Sequence, residues 1–190
     1  GTGTYSTAST AVVPATLAVA PTSVVGTSGN SQVSLSWAAP TSSGGSAVTD
    51  YAIQYSSNAG SSWSTFSHAV SNATTTTVTG LTNGTSYVFR VAAVNVVGTG
   101  TYSTASTAAV PATLAVAPTG VVGTSGNSSV ALSWTAPTDN GGSSITDYAI
   151  QYSTNGGSSW STFSHVASAG TSATVTGLTN GTDRKSTRLN

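Results

Sequence analysis

An internal repeat of 97 residues dominates the sequence. Trp134 follows Trp37 by this interval, and the opening segment GTGTYSTASTA recurs unchanged at Gly98–Ala108. Residues 1–85 and 98–182 agree at roughly four positions in five. Solenoid repeats run about 20–50 residues, whereas a β-sandwich domain has about 100. The repeat therefore predicts a tandem array of whole domains.

The pattern inside one period is that of β-strands. Val33–Trp37, Tyr51–Tyr55 and Tyr87–Ala93 alternate apolar and polar residues, as half-buried strands do. Clusters of Ser, Thr, Asn and Gly separate these segments and predict turns. No window combines helical spacing with helix caps. The sequence therefore predicts an all-β fold.

Composition excludes several classes of protein. Charged residues make up 4% of the chain and the formal net charge is zero, against roughly 25% charged residues in ordinary soluble domains. Binding to nucleic acid or to anionic lipid needs clustered Lys and Arg, so we expect neither partner. No apolar run reaches the ~18 residues of a spanning helix, so we expect no membrane insertion. The absence of Cys excludes disulfides and thiolate metal sites.

The candidate catalytic residues are few and scattered. His68 and His165 occur once per repeat and cannot converge on one site, so we expect each to face solvent. The chain has no Glu, and Asp50 is expected to accept backbone hydrogen bonds at the start of a strand. Asp139 lacks the acidic neighbours of a calcium loop, and no G-x-S-x-G motif occurs. We predict no catalytic residue, no cofactor and no metal site, and hence no enzyme activity.

Trp63 and Trp160 are the candidate ligand-contact residues. An exposed aromatic residue on an edge strand could stack on a sugar ring or on a partner protein. The alternative is that each ring covers the end of a hydrophobic core. The paired glycines Gly44–Gly45 and Gly141–Gly142 lack the following helix and Lys of a phosphate loop, so we interpret them as turns.

Three segments of the first repeat resemble a known family. APTSVVGTSGNSQVSLSW, VTDYAIQYSSNAGSSW and TVTGLTNGTSYVFRVAAVN are similar to the A–B strands, the C–C′ strands and the E–F corner of bacterial-type fibronectin type III tandem repeats. The resemblance implies an immunoglobulin-like, seven-stranded β-sandwich with sheets A-B-E and C′-C-F-G. It implies that Tyr87, with Leu81, forms a tyrosine corner. The positions that we expect in the core are Val33, Leu35, Trp37, Ile53, Leu81, Tyr87, Phe89 and Val91.

The resemblance also suggests the domain boundaries. Residues 1–19 would be the G strand and linker of a preceding module, residues 20–116 one complete module, and residues 117–182 a module that has strands A to E but lacks F and G. Proline residues bracket the linkers, and proline favours extended, semi-rigid spacing.

Residues 183–190 break the repeat. The residue that should match Tyr87 is Arg184. The octapeptide Asp183–Asn190 resembles the translation of a short-read sequencing adapter, and we interpret it as a non-native tail. The alternative is a basic tail for an acidic partner. A second module without F and G would expose an edge of its C–C′ sheet, so we expect it to be unstable alone.

Fibronectin type III-like modules host many roles, so the fold alone does not determine the function. The first hypothesis is a non-catalytic spacer or adhesion module of a large secreted or cell-surface repeat protein. The second is an accessory linker module of a secreted polysaccharide-degrading enzyme. The third is a glycan- or protein-binding module that uses Trp63. The expected partners are neighbouring modules of the same chain and other surface proteins or glycans, and the expected location is extracellular.

Overall fold

The computed structural model describes residues 1–181 and the backbone of Arg188–Leu189. The chain divides into two compact units between Pro111 and Ala112. The strands of the first unit are β1 (Thr22–Gly29), β2 (Gln32–Ala38), β3 (Asp50–Ser56), β4 (Ser64–Phe66), β5 (Thr75–Thr79), β6 (Val88–Asn95) and β7 (Gly98–Thr99). The strands of the second unit are β8 (Thr119–Gly126), β9 (Ser129–Thr135), β10 (Ile150–Tyr152), β11 (Ser161–Phe163), β12 (Ser172–Thr176) and β13 (Arg188–Leu189).

The first unit is a sandwich of two antiparallel sheets. One sheet has the strand order β1-β2-β5 and the other β4-β3-β6-β7. These sheets correspond to A-B-E and C′-C-F-G, so the predicted all-β, seven-stranded architecture is confirmed. The register places Val33 opposite Val78, and Ile53 opposite Val91. Because side chains alternate along a strand, these pairs put their apolar members on the same face of each sheet.

The core of the first unit lies between these sheets. All eight predicted core positions are buried, and Val33, Phe89 and Val91 are 0% exposed. The Trp37 and Tyr51 rings meet edge to face, with centroids 5.1 Å apart, a favourable geometry for aromatic pairs. The remaining members of the core are Ala18, Val24, Tyr51, Val78, Ala93 and Ala109.

A tyrosine corner closes the first unit, as the resemblance implied. The Thr82 N–H donates to the Tyr87 hydroxyl oxygen over 3.2 Å. Leu81, beside this bond in sequence, is 5% exposed. The corner therefore ties the segment after β5 to the start of β6.

Replacement of Tyr87 by Phe removes this acceptor and leaves the ring in place. We expect Tyr87→Phe to lower the free energy of unfolding by about 0.5–1.5 kcal/mol, the usual net value of one hydrogen bond. Urea denaturation followed by circular dichroism would measure it. Tyr55→Phe is the control, because among the described residues no hydrogen bond joins the Tyr55 hydroxyl. Equal effects of the two substitutions would contradict a stabilising corner.

The described part of the second unit repeats the arrangement with six strands. Its sheets have the orders β12-β9-β8 and β11-β10-β13. Trp134 and Tyr148 repeat the edge-to-face contact at 5.1 Å. The buried residues of the cluster that the structure describes here are Leu132, Trp134, Tyr148, Ile150, Val175 and Leu178.

The edge of β10 that we expected to be bare carries a short pairing. Leu189 lies opposite Ile150, and Arg188 lies opposite Gln151. In the first unit Val91 lies opposite Ile53, so the repeat of 97 residues would place Arg188 opposite Ile150. The structure places Leu189 there instead, one residue further along the chain. Apart from the backbone of β13, the predicted non-native tail lies outside the described residues. The instability of the second module stays a prediction.

Candidate functional site

A row of polar and aromatic side chains crosses the outer face of the sheet β4-β3-β6-β7. Gln54 lies opposite both Thr65 and Arg90 in the register. The Gln54 amide donates to the Thr65 hydroxyl over 3.4 Å, and the Arg90 Nε–H donates to Gln54 Oε1 over 2.8 Å. The Arg90 guanidinium lies 4.2 Å from the Trp63 ring centroid and 4.6 Å from that of Tyr102. One continuous row therefore runs across β4, β3 and β6, with Trp63 before β4 and Tyr102 after β7.

Trp63 is half-buried and has specific neighbours. Arg90 occupies a face of its ring. A Cβ atom placed on Gly60 would lie 3.3 Å from Trp63 Cζ2, so the ring also packs against the β3–β4 turn. Cation–π contacts of this kind contribute about 0.5–2 kcal/mol. Trp63 thus has a packing role that the sequence alone did not reveal.

Trp160 occupies the equivalent place in the second unit and is also half-buried. The repeat would put the partner of Arg90 at residue 187, which is outside the described residues. The contacts that the structure describes at Trp63 therefore have no described equivalent at Trp160. The ligand-contact role of both residues remains a proposal.

The expectation that the histidines face solvent is wrong. His68 is half-buried, with Nε2 at 2.8 Å from the Tyr51 carbonyl oxygen and Nδ1 at 2.9 Å from that of Ala69. Its ring stacks on Phe66. His165 makes the equivalent contacts with Tyr148 and Val166. His68 thus ties the segment after β4 to β3, and His165 ties the segment after β11 to the residues just before β10.

Asp50 takes the role that the sequence predicted, and Asp147 takes the same role in the second unit. Asp50 Oδ1 accepts the Ser71 N–H over 3.0 Å. Asp147 Oδ1 accepts the N–H groups of Ser168 over 3.1 Å and Tyr148 over 2.8 Å. The Ser168 bond, then the Tyr148 bond, and more weakly the nearby His165, hold the pKa of Asp147 below its usual value.

The lowered pKa of Asp147 makes part of the second unit's stability depend on pH. The ionised carboxylate stabilises the fold above the usual aspartate pKa of about 3.9, and this contribution is lost as the pH falls through the lower folded value. We expect Asp147→Asn to weaken the second unit at neutral pH and to flatten its pH dependence below about pH 4. Hydrogen exchange of the β9–β12 amides would measure both effects. Parallel pH profiles for the variant and the parent chain would contradict the assignment.

In each unit, the segment before the first strand is hydrogen-bonded to a glycine-containing loop, which we call the linker seat: Ser42–Gly44 in the first unit and Asp139–Gly141 in the second. The Thr16 N–H donates to the Gly44 carbonyl over 2.8 Å, and the Val19 N–H to that of Ser42 over 3.0 Å. In the second unit, Thr113 and Val116 make the equivalent bonds to the carbonyl groups of Gly141 and Asp139. The interpretation of these glycines as turn residues missed this contact.

Glycine is required at the linker seat for two reasons. Gly44 has φ +76° and Gly141 has φ +70°, a conformation that other residues adopt only with strain. A Cβ on Gly44 would also lie 2.2 Å from the Thr16 carbonyl oxygen, and one on Gly141 would lie 2.1 Å from that of Thr113. The linker backbone therefore occupies the space of the missing side chains.

Asn95 anchors the same segment in the first unit. This residue is 4% exposed. Its Nδ2 donates to the carbonyl oxygens of Thr16 and Ser43 over 2.7 and 2.8 Å. Its Oδ1 accepts the Val97 N–H over 2.9 Å. One buried amide therefore holds the linker, the linker seat and the β6–β7 turn together.

The linker after the first unit leaves little free chain. The Gly84 N–H donates to the Pro111 carbonyl over 2.9 Å, within the first unit. The Thr113 N–H donates to the Gly141 carbonyl over 2.8 Å, within the second unit. Only Ala112 lies between these two anchored residues. The backbone is therefore held within one residue on either side of the boundary.

Two further findings concern sites of other kinds. Within the described part of the chain, no group of three His or Asp side chains could hold a metal ion. The same residues contain no helix that is long and apolar enough to cross a lipid bilayer.

Known proteins are similar to this chain in both repeats. The model of the fibronectin type III domain family matches residues 18–109 and 116–183. Chitinase A1 of Niallia circulans is 36% identical over 154 residues, which are 77% of this chain and 19% of that protein. M-protein of striated muscle from Gallus gallus is 32% identical over 125 residues, 63% of this chain and 9% of that protein.

Among solved structures, titin domains A168–A170 cover 50% of this chain at 30% identity, with a TM-score of 0.48. This chain covers 32% of that structure, and it likewise spans no more than about a fifth of the two relatives above. The family assignment rests on the model that matches both repeats over most of the chain. This chain belongs to the fibronectin type III domain family.

Proposed function

We propose that this chain is a segment of a non-catalytic spacer or adhesion stalk in a large secreted or cell-surface repeat protein. The observation that carries the proposal is the linker, in which only Ala112 separates residues anchored to different units. Few free backbone torsions remain there, so the spacing of neighbouring modules should vary little. Near-identical modules joined in this way keep whatever they carry at a set distance from a surface.

Distance measurements between the two units test this proposal. The chain has no Cys, so Ser61→Cys with Ser158→Cys gives two specific sites for spin labels, both at exposed and equivalent positions. We expect a narrow distance distribution by electron–electron double resonance. An insertion of four Gly and Ser residues after Ala112 should broaden it. A parent distribution as broad as that of the insertion variant would contradict a spacer of set length.

A matched pair of glycine substitutions separates the linker seat from general strain. Gly141→Ala should free the linker and broaden the same distribution. Gly177→Ala introduces Ala at a similar φ, +73°, where no atom lies within 4 Å of the new Cβ. It should leave the distribution unchanged. If both variants behave alike, the linker seat does not control the spacing.

The similarity to Chitinase A1 supports a second candidate, an accessory module of a secreted polysaccharide-degrading enzyme. In that case the chain would space or orient a catalytic domain located elsewhere in the parent protein. Flanking sequence discriminates the two candidates. Further modules and a surface anchor favour the stalk, whereas a hydrolase domain favours the enzyme.

A ligand-contact role for Trp63 and Trp160 is the third candidate. Their rings are half-buried and so retain accessible area. Pull-down on insoluble polysaccharides with Trp63→Ala and Trp160→Ala, each checked for folding by circular dichroism, tests it. Retention equal to that of the parent chain would end this candidate.

A further inference from the structure

Arg90 is an isolated cation. It is the only Lys or Arg among residues 1–183, and Asp50 is the only acidic residue among residues 1–138. Asp50 lies opposite Val94, four residues along β6 from Arg90. Four residues of a strand span about 13 Å, which is beyond the range of an ion pair. Within the described residues, the one ion pair involves Asp147 and His165, so Arg90 has no carboxylate partner there.

The surroundings of Arg90 leave one approach to its guanidinium group. Trp63 precedes β4 and Tyr102 follows β7, so their rings approach from opposite sides of β6. The Nε–H is occupied by Gln54. Within residues 1–181, no side chain or carbonyl group accepts a hydrogen bond from either Nη atom. The two Nη groups therefore remain as a free, oriented edge.

The ligand that fits such an edge is a planar carboxylate. Two parallel N–H donors match its two oxygens, and charge-assisted bidentate bonds are roughly twice as strong as neutral ones. The flanking rings restrict the rotation of the guanidinium group and exclude water from its faces. Arg90 therefore loses less side-chain entropy when a ligand binds. A Lys side chain could not reproduce this geometry because its ammonium group is a single point.

The side chains around Arg90 favour a carboxylate carried by a sugar. With the bonds inside the row made, the Thr65 hydroxyl can still donate, the Gln54 amide keeps one further N–H, and the Trp63 and Tyr102 rings each have a face that Arg90 does not cover. Hydroxyls and amides pair with sugar hydroxyl groups, and aromatic rings pack against the C–H face of a pyranose. We propose that Arg90, held between Trp63 and Tyr102, binds the carboxylate of an acidic polysaccharide. This site does not depend on the spacer function.

Titration of the full chain with a galacturonate trisaccharide tests the proposal. We expect the Arg90 Nε–H signal and the Trp63 indole signal to shift in ¹⁵N-resolved NMR spectra, whereas the Trp160 signal stays in place. A neutral galactose trisaccharide should bind at least tenfold more weakly. Affinity should fall severalfold when salt rises from about 20 to about 200 mM, because exposed ion pairs are screened. Equal shifts with the neutral sugar would overturn the proposal.

Arg90→Lys keeps the charge and removes the paired donors. We expect this variant to lose at least tenfold in affinity while its circular dichroism spectrum stays that of the parent chain. Undiminished affinity would overturn the proposal. If the variant does not fold, the NMR titration of the parent chain with the acidic and the neutral trisaccharide still tests the proposal. A triglutamate peptide is the last arm: binding at or above that of the galacturonate sugar would assign the edge to an acidic peptide and overturn the glycan assignment.

Discussion

Replacement of Phe89 by Ala is expected to remove a large part of the first unit's free energy of unfolding. Phe89 is 0% exposed and lies on β6, whose neighbours are β3 and β7. Removal of a buried phenyl ring costs about 3–5 kcal/mol, because apolar contact is lost and a cavity remains. Domains of this size are stable by about 5–15 kcal/mol in total. Thermal denaturation followed by circular dichroism should therefore give a large fall in the first unit's transition temperature.

Val96→Ala is the control for this substitution. Val96 lies in the β6–β7 turn and is 79% exposed, so its truncation should change the stability by less than about 0.5 kcal/mol. A loss of less than about 1 kcal/mol in Phe89→Ala would mean that the sandwich interior is looser than the burial indicates.

The burial of Phe89 could be predicted from the sequence because alternation reports directly on burial. In Val33–Trp37 and Tyr87–Ala93 every second residue is apolar, and a strand turns every second side chain to one face. This relation needs no knowledge of the partner strand. Alternation predicted the buried core positions and, together with the family resemblance, the division of the strands into two sheets.

The last segment of the first unit shows where alternation stops helping. Between β7 and the end of the first unit there is no regular strand, although backbone N–H groups of this segment still pair with Tyr87 and β6. The donors are three residues apart, whereas the carbonyl groups that accept from them are two residues apart. The bonds run from Gly100 to Ala93, from Ser103 to Val91, from Ser106 to Phe89 and from Ala109 to Tyr87. The sequence predicted a G strand here, but it gave no sign of this spacing.

Serine hydroxyls make that spacing possible. Ser103 Oγ accepts the Val91 N–H and Ser106 Oγ accepts the Phe89 N–H, each over 3.1 Å. A hydroxyl group thus replaces the carbonyl that a regular strand would offer. The repeated Ser of this segment looks like solubilising composition in a sequence that is rich in Ser and Thr. Only the partner strand shows that two of these residues complete the ladder.

The candidate site was hard to predict for the same reason. Trp63, Arg90 and Tyr102 are far apart in sequence and meet because the sheet brings the segments that carry them to one face. His68 reaches the Tyr51 carbonyl across a strand pair, which the composition around it cannot indicate. The sequence could identify Trp63 as unusual, but it could not supply its partner.

The linker seat gives the second prediction with a large expected effect, and it compares two alanine substitutions. Gly44 and Gly80 have nearly the same φ, +76° and +75°. Alanine in this left-handed conformation costs roughly 1–2 kcal/mol at either position. Only at Gly44 does the new Cβ also overlap the Thr16 carbonyl oxygen, whereas nothing lies within 4 Å at Gly80. The difference between the two variants isolates the contact with the linker.

We expect Gly80→Ala to destabilise the first unit by roughly 1–2 kcal/mol, and Gly44→Ala by about 1–3 kcal/mol more, the usual cost of overpacking. A backbone oxygen cannot rotate away as a side chain can, so relief requires the loss of the bond from the Thr16 N–H to the Gly44 carbonyl. Urea denaturation measures both losses, and hydrogen exchange at Thr16 should accelerate in Gly44→Ala alone. Equal stabilities, with Thr16 still protected, would mean that the linker moves aside at little cost and that the loop does not hold it.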